Sequence, residues 1–230
     1  MKNVLLLIFL IFSFFFPASF LFSEKLKIVI DPGHGGSNEG ALYGDLVEKD
    51  LTLYVAEKLK FFLDSDDEIS AEFIRLSDKY VSIKDRIEII NETSPDYFIS
   101  IHFNSQPFLT SNRGFEIYYP ADTFTDDTKT SFQSYHRSNL SFIIGRSFKN
   151  TFLKTPIYQT WGLYLNMFVQ KDRLPILLDT EPPGILLELA YITSPEDRAC
   201  IENPDFMLSM SRYIYRAIKN SMNHIKRGEK

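Results

Sequence analysis

Hydrophobic positions along the chain fall into short apolar runs separated by longer stripes of helical period. The runs at 26–30, 71–76, 97–102, 115–119, 174–178 and 185–189 are rich in branched and aromatic residues and predict strands. Several are continuous rather than alternating, as in strands covered on both faces. Helical stripes lie between them. Leu51, Val55, Leu59 and Phe62 recur at helical spacing within 46–64, and Ile83, Ile87 and Ile90 within 82–91. Further helices are predicted at 140–153 and at 205–226, the last with a basic end that suits a helix carboxyl terminus. Alternating strands and helices define an α/β layered domain with a mixed, mostly parallel sheet. The polar segment 120–137, rich in Thr, Asp and Ser, has no clear period and predicts a surface loop.

The amino-terminal residues follow a different pattern. Met1, Lys2 and Asn3 give a short positive start, and an apolar run follows to Phe16. Pro17, Ala18 and Ser19 come next, and charge returns at Glu24 and Lys25. This layout predicts a signal peptide over 1–23, cleaved between about Ala18 and Ser23, and one catalytic-sized domain over 24–230. The competing reading is an uncleaved membrane anchor, because 4–22 is nearly long enough to span a bilayer. Either reading places the domain outside the cytoplasm.

Composition narrows the picture little. At 230 residues, 44% hydrophobic and 24% charged, the chain is an ordinary globular one, long enough to bury a core without cross-links. A formal net charge of -5 argues against a nucleic-acid partner, which would require a basic face. Cys200 is the single cysteine, which excludes an internal disulfide and a thiolate-rich zinc finger; it is expected to be a small buried hydrophobe.

The candidate chemistry gathers at predicted strand ends, where α/β sheets carry their sites. His34 sits in Asp31-Pro32-Gly33-His34-Gly35-Gly36 directly after the first strand, and His102 closes the third, in Ser100-Ile101-His102-Phe103-Asn104-Ser105. Glu48 opens the first helix. Alone it would be read as a carboxylate favoured by the helix dipole. With the two histidines it completes a His/Glu/His set, which leaves a zinc ion one open position for water. Glu188 lies near the end of an apolar strand, where it suits a general base and then a proton donor, or a structural ion pair. Asp31 suits a carboxylate orienting a ligand histidine, or a loop cap. His136 and His224 read as solvated surface.

These motifs in this order, followed by Leu187-Glu188-Leu189-Ala190-Tyr191-Ile192-Thr193-Ser194, resemble the zinc-dependent N-acetylmuramoyl-L-alanine amidases of the amidase-3 family. Arg75-Leu76-Ser77-Asp78 with Ser82, Arg86, Asn91 and Asp96 follows the same pattern, so the resemblance runs from Lys25 to about Lys219. It implies an α/β domain with a central mixed sheet, one zinc ion held by His34, Glu48 and His102, and Glu188 as the catalytic glutamate acting on a zinc-bound water. Arg75, Asp78 and Arg86 would organise the supporting loops. The implied reaction is cleavage of the amide between N-acetylmuramic acid and the L-alanine of the stem peptide in peptidoglycan, in the periplasm or envelope of a bacterium. A protein activator is compatible with it, as is a small lid carrying Asp126 and Asp127. Tyr158, Trp161 and Tyr164 are candidates to line the substrate groove. The sequence departs from the family pattern at Phe103, where a small residue is common, at Ala190 in place of Gly and at Ser194 in place of Asn. All three are expected near the centre of the site. Two rivals stand beside this reading: another extracytoplasmic zinc hydrolase, a peptidase or deacetylase, and a non-catalytic wall-binding protein on the same fold.

Overall fold

A computed structural model of the chain describes residues 24–106, 112–121, 128–162, 165–171 and 174–226. The leader, Asp126, Asp127, Tyr164 and the side chain of Tyr158 lie outside the described residues. No described helix is long and apolar enough to cross a membrane.

Strand β1 (Leu26–Pro32) leads through a glycine-rich loop to a small hairpin, β2 (Leu42–Tyr43) and β3 (Leu46–Val47), and into helix α1 (Glu48–Asp64). Then come β4 (Ile69–Phe73), α2 (Ile83–Thr93), β5 (Tyr97–Asn104), β6 (Phe115–Pro120) and α3 (Thr128–Leu153). The chain closes with α4 (Pro156–Thr160), β7 (Leu165–Lys171), α5 (Pro175–Leu178), β8 (Gly184–Tyr191), α6 (Pro195–Ile201) and α7 (Pro204–Lys226). Six strands form one sheet in the order β4-β1-β5-β8-β6-β7, parallel throughout except where β6 meets β8. The mixed, mostly parallel sheet is as expected.

The two faces of the sheet are covered unequally. One carries Ile28, Ile30, Ile99, Ile101, Phe103, Phe115, Ile117, Leu187 and Leu189, packed with Val55 and Leu59 of α1, Phe148 and Phe152 of α3, and Ile214 and Ile218 of α7. Each such side chain contributes roughly 1.5–3 kcal/mol on leaving water. The other face is a thin layer of Val29, Phe98, Tyr118 and Leu186 under Ile90 of α2 and Ile176 and Leu177 of α5. Towards the carboxyl ends of the parallel strands this second face becomes polar, with Asp31, Ser100, His102 and Glu188 at alternate positions.

Two expectations need correction. Residues 174–178 form no strand: Pro175 opens a four-residue helix that presses Ile176 and Leu177 onto the second face. The segment 120–137 is not all loop, because α3 begins at Thr128. Its buried positions include Ser134, Ser138, Ser141, Ser147 and Thr151. Ser141 and Thr151 satisfy their hydroxyls on the carbonyls of Arg137 and Ser147, at 2.8 and 2.9 Å, so the helix buries small polar side chains without leaving them unbonded. The hydrophobic pattern also gave no sign of β7, which forms an edge of the sheet.

Candidate metal centre

The site is built by the turn after β1, the start of α1 and the carboxyl end of β5. His34 adopts a left-handed backbone (φ 61°) ahead of Gly35 and Gly36, also at positive φ, so the chain reverses and presents the imidazole inward. Two buried guanidiniums hold this turn. Arg75 donates to the carbonyls of Pro32, Gly33 and Lys49 and to the Thr52 hydroxyl. Arg86 donates to the carbonyls of Pro32 and His34 and to the carboxylate of Asp31. Asp78 accepts from the Gly36 amide at 2.6 Å and from Lys49 at 2.8 Å. Arg75, Asp78 and Arg86 therefore organise the loop, as expected. Asp31 does not orient a histidine ring; its oxygens take Arg86 and the Ser100 hydroxyl.

Helix α1 starts without a side-chain cap at Val47. The carbonyls of Ala41 and Glu39 accept its first amides, from Glu48 and Lys49, at 3.0 and 3.1 Å. Glu48 returns the favour by accepting the Ala41 amide on Oε2 at 2.9 Å. Its other oxygen accepts the Phe103 amide at 3.1 Å. Thus pinned and 5% exposed, the carboxylate faces His34 Nε2 at 3.0 Å and His102 Nδ1 at 2.9 Å. Burial works to raise the Glu48 pKa, but the hydrogen bonds from His102 and His34 outweigh it and hold the carboxyl well below its ordinary range. For His34, burial works to lower the pKa and contact with Glu48 raises it, leaving it above the ordinary imidazole value.

Asn38 settles which nitrogen of His34 is available. The Asn38 side-chain oxygen accepts the Gly40 amide at 3.2 Å, so the same oxygen, 2.9 Å from His34 Nδ1, must accept a proton there too. Nδ1 thus keeps its hydrogen, and Nε2, which faces Glu48 Oε2 at 3.0 Å, is the nitrogen left to bind an ion once its own proton is lost. One ligand atom each from His34, Glu48 and His102 lies within 4.8 Å of the others. Two imidazoles and an ionised carboxylate converging at that separation suit a divalent ion that takes nitrogen and oxygen donors, zinc above all. Asn38 was not singled out from the sequence; its only signal there is a position four residues after His34, within a turn.

Glu188 stands beside His102 in the β5–β8 register and beside Glu116 in the β6–β8 register, and register partners project to the same face. A cavity of about 260 Å³ opens between His34, His102, Asp31, Tyr80 and Ile176. A larger one, about 530 Å³, lies between α3 and residues 178–183, and none of the three convergent residues lines it. The three departures from the family pattern lie outside the smaller cavity. Phe103 turns to the opposite face and is 1% exposed in the main core, Ala190 is fully buried, and Ser194 caps α6 by accepting the Asp197 amide. Trp161 packs edge-on against Phe206, part of the core rather than a groove wall. His136 is exposed, His224 is half-buried, and neither joins the cluster. Cys200 is buried as expected.

Fold and site together define an α/β domain whose candidate metal-binding cluster sits at the carboxyl ends of parallel strands. Residues 28–220 match the family model Amidase_3, N-acetylmuramoyl-L-alanine amidase, and the chain belongs to that family. It is 31% identical over 199 residues to a sporulation-specific N-acetylmuramoyl-L-alanine amidase of Bacillus subtilis, covering 86% of this chain and 69% of the relative. It is 26% identical to the probable N-acetylmuramoyl-L-alanine amidase AmiB of Haemophilus influenzae, covering 91% of this chain but 55% of that protein, so it spans about half the relative's length. Among solved structures, an N-acetylmuramoyl-L-alanine amidase from Clostridium difficile 630 superposes with a TM-score of 0.72 at 25% identity, covering 87% of this chain and 98% of that one.

Proposed function

We propose that the chain is a peptidoglycan amidase that hydrolyses the bond between the lactyl group of N-acetylmuramic acid and the L-alanine of the stem peptide. The observation that carries this reading is the convergence of His34, Glu48 and His102 on one point, with Glu188 next to His102 on the same sheet face. Family membership supplies the substrate. His34 through Nε2, Glu48 and His102 would hold zinc, which when bound acidifies water and polarises a carbonyl. Asn38 keeps the proton of His34 on Nδ1, and the Ala41 and Phe103 amides, one on each oxygen, fix the Glu48 carboxylate. Glu188 takes the proton from the attacking water and returns it to the departing L-alanine nitrogen. The action is extracytoplasmic, where peptidoglycan lies.

The test is incubation of the zinc-supplemented protein from Glu24 onward with purified peptidoglycan, with products identified by mass. Stem peptides with a free L-alanine amino end are expected, absent with a chelator and reduced at least about 100-fold in Glu188→Gln, the scale of a lost general base. Sugar fragments or shortened peptides would refute the amidase reading. A Glu188→Gln protein with full turnover would refute the role of that residue.

A further inference from the structure

Three large apolar side chains stand exposed within 76–83, the stretch that joins β4 to the first residue of α2: Leu76 at 40%, Tyr80 at 57% and Ile83 at 49%. Single exposed apolar residues are ordinary. Two of these are set apart by their place. Tyr80 and Ile83 line the cavity of about 260 Å³ that His34 and His102 also line, and Ile176 of α5 lines it too. An apolar wall carrying one aromatic ring therefore borders the convergent residues, the make-up of a small-ligand subsite.

The ring stands on fixed backbone. A Cβ on Gly36 would meet the Tyr80 amide nitrogen at 2.5 Å, so the main chain at Tyr80 lies against the turn that presents His34. One residue on, the Val81 carbonyl accepts from Arg86 Nε at 3.1 Å. A platform held in this way loses little freedom when a ligand covers it.

Charge in the cavity selects which arm of the substrate suits this wall. Among the described residues that line it, Arg86 is the only guanidinium or ammonium. Each of its nitrogens already donates, Nε to Val81, Nη1 to Asp31 and Pro32, and Nη2 to the His34 carbonyl, and its charge is matched by Asp31 in the same cavity. The scissile amide joins an uncharged sugar to a stem peptide that bears carboxylates. A carboxylate placed here leaves water without an unmatched cation to receive it. The C–H face of a pyranose needs no counter-charge and lies flat on an aromatic ring. We propose that Tyr80, with Ile83 beside it, is the platform for the N-acetylmuramic acid ring, a specificity-determining contact on the sugar side of the scissile bond. This rests on the reading of the chain as an amidase.

Three substrates separate the two arms: an N-acetylmuramoyl tripeptide, the same tripeptide carrying only the D-lactyl group, and N-acetylmuramoyl-L-alanine. With zinc-supplemented protein, Tyr80→Ala is expected to lower kcat/KM about tenfold or more on the two that contain the sugar, the scale of an aromatic platform removed from beneath a flat ring. The lactyl tripeptide should respond far less. Tyr80→Phe, which keeps the ring, is expected to recover most of the loss. Melting temperature and zinc content should stay native, because the side chain is largely exposed. An equal loss on the lactyl tripeptide, a loss confined to the two tripeptides, a loss that Tyr80→Phe shares in full, or no loss at all overturns the inference. Titration of metal-free protein, followed by NMR, reads the subsite without turnover. The disaccharide of N-acetylglucosamine and N-acetylmuramic acid should bind native protein about tenfold or more tighter than Tyr80→Ala, and the tripeptide alone should not tell the two apart. Equal binding of the disaccharide by both proteins, or no binding by either, overturns the inference. A native protein that binds the disaccharide through Tyr80 and cleaves none of the substrates would instead count against the amidase reading.

Discussion

Gly33→Ala separates the proposed metal centre from the fold that carries it. A Cβ on Gly33 would meet His102 Cε1 at 2.3 Å and both ring nitrogens at 2.6 Å, whereas ordinary contact begins at 3.4 Å. Something must therefore move by about 1.1 Å, the difference between 3.4 and 2.3 Å. Gly33 itself is held on both sides. Its amide donates to the Ile101 carbonyl at 2.9 Å, and its own carbonyl accepts from Thr52 at 2.8 Å and Arg75 at 2.7 Å. The imidazole has to yield. Metal–ligand distances tolerate only about 0.2 Å, so a ring displaced five times that far leaves the coordination set. Loss of one ligand in three is expected to weaken zinc binding by more than about 100-fold, the most that removal of a supporting partner produces, or about 2.7 kcal/mol. Competition against a chromophoric chelator measures this directly, and a thermal melt of both metal-free proteins checks that the domain is otherwise intact. Zinc affinity within threefold of native, with an unchanged melt, would falsify the placement of His102.

Other substitutions test the surroundings. Asn38→Ala frees the His34 ring to switch tautomer, and zinc affinity in the same competition assay should drop about tenfold; unchanged affinity would show that the ring needs no such partner. Arg86→Met strands the buried carboxylate of Asp31 and should lower stability to denaturant by about 3–5 kcal/mol, whereas a loss under about 1 kcal/mol would mean that water reaches Asp31. Asp66 accepts from Tyr215, Lys219 and the Glu68 amide. Burial works to raise its pKa, but the Lys219 hydrogen bond and the other donors leave it below 3.8. A depressed folded value stabilises fully above the unfolded one and is lost as pH falls through the folded one. Asp66→Asn should therefore lose about 1–3 kcal/mol at pH 7, and its deficit should shrink as pH drops below 3.8; a deficit independent of pH would refute the linkage.

Much of this was legible in the sequence because burial and chemistry coincide with hydrophobic runs. The strands around His34, His102 and Glu188 are apolar stretches that end in polar candidate site residues, and the helix after the first of them has a clean apolar stripe. What was missed lies where that coupling fails. Helix α3 buries serines and a threonine, so its amino-terminal half shows no apolar period. The run at 174–178 is apolar because it is buried, and burial alone does not distinguish a strand from one turn of helix. The roles of Phe103 and Ala190 turned on which face of a strand each meets, and Ser194 on a helix start; neighbours in sequence to a ligand need not be neighbours in space. Asn38 meets His34 through the fold of the turn, which no local pattern announces.

The separation of the three convergent residues along the chain has a mechanical consequence. His34, Glu48 and His102 lie 14 and 54 positions apart, on the turn after β1, on α1 and on β5. An ion held among them, as proposed, would cross-link three segments of a chain whose lone cysteine cannot do so. The staple covers only the first half of the molecule, while β6, β7 and α3 hang from the unstapled side of β8. Removing the ion would loosen one flank of the sheet and leave the other as it was, so amide exchange would accelerate in β1 and α1 before it does in β6.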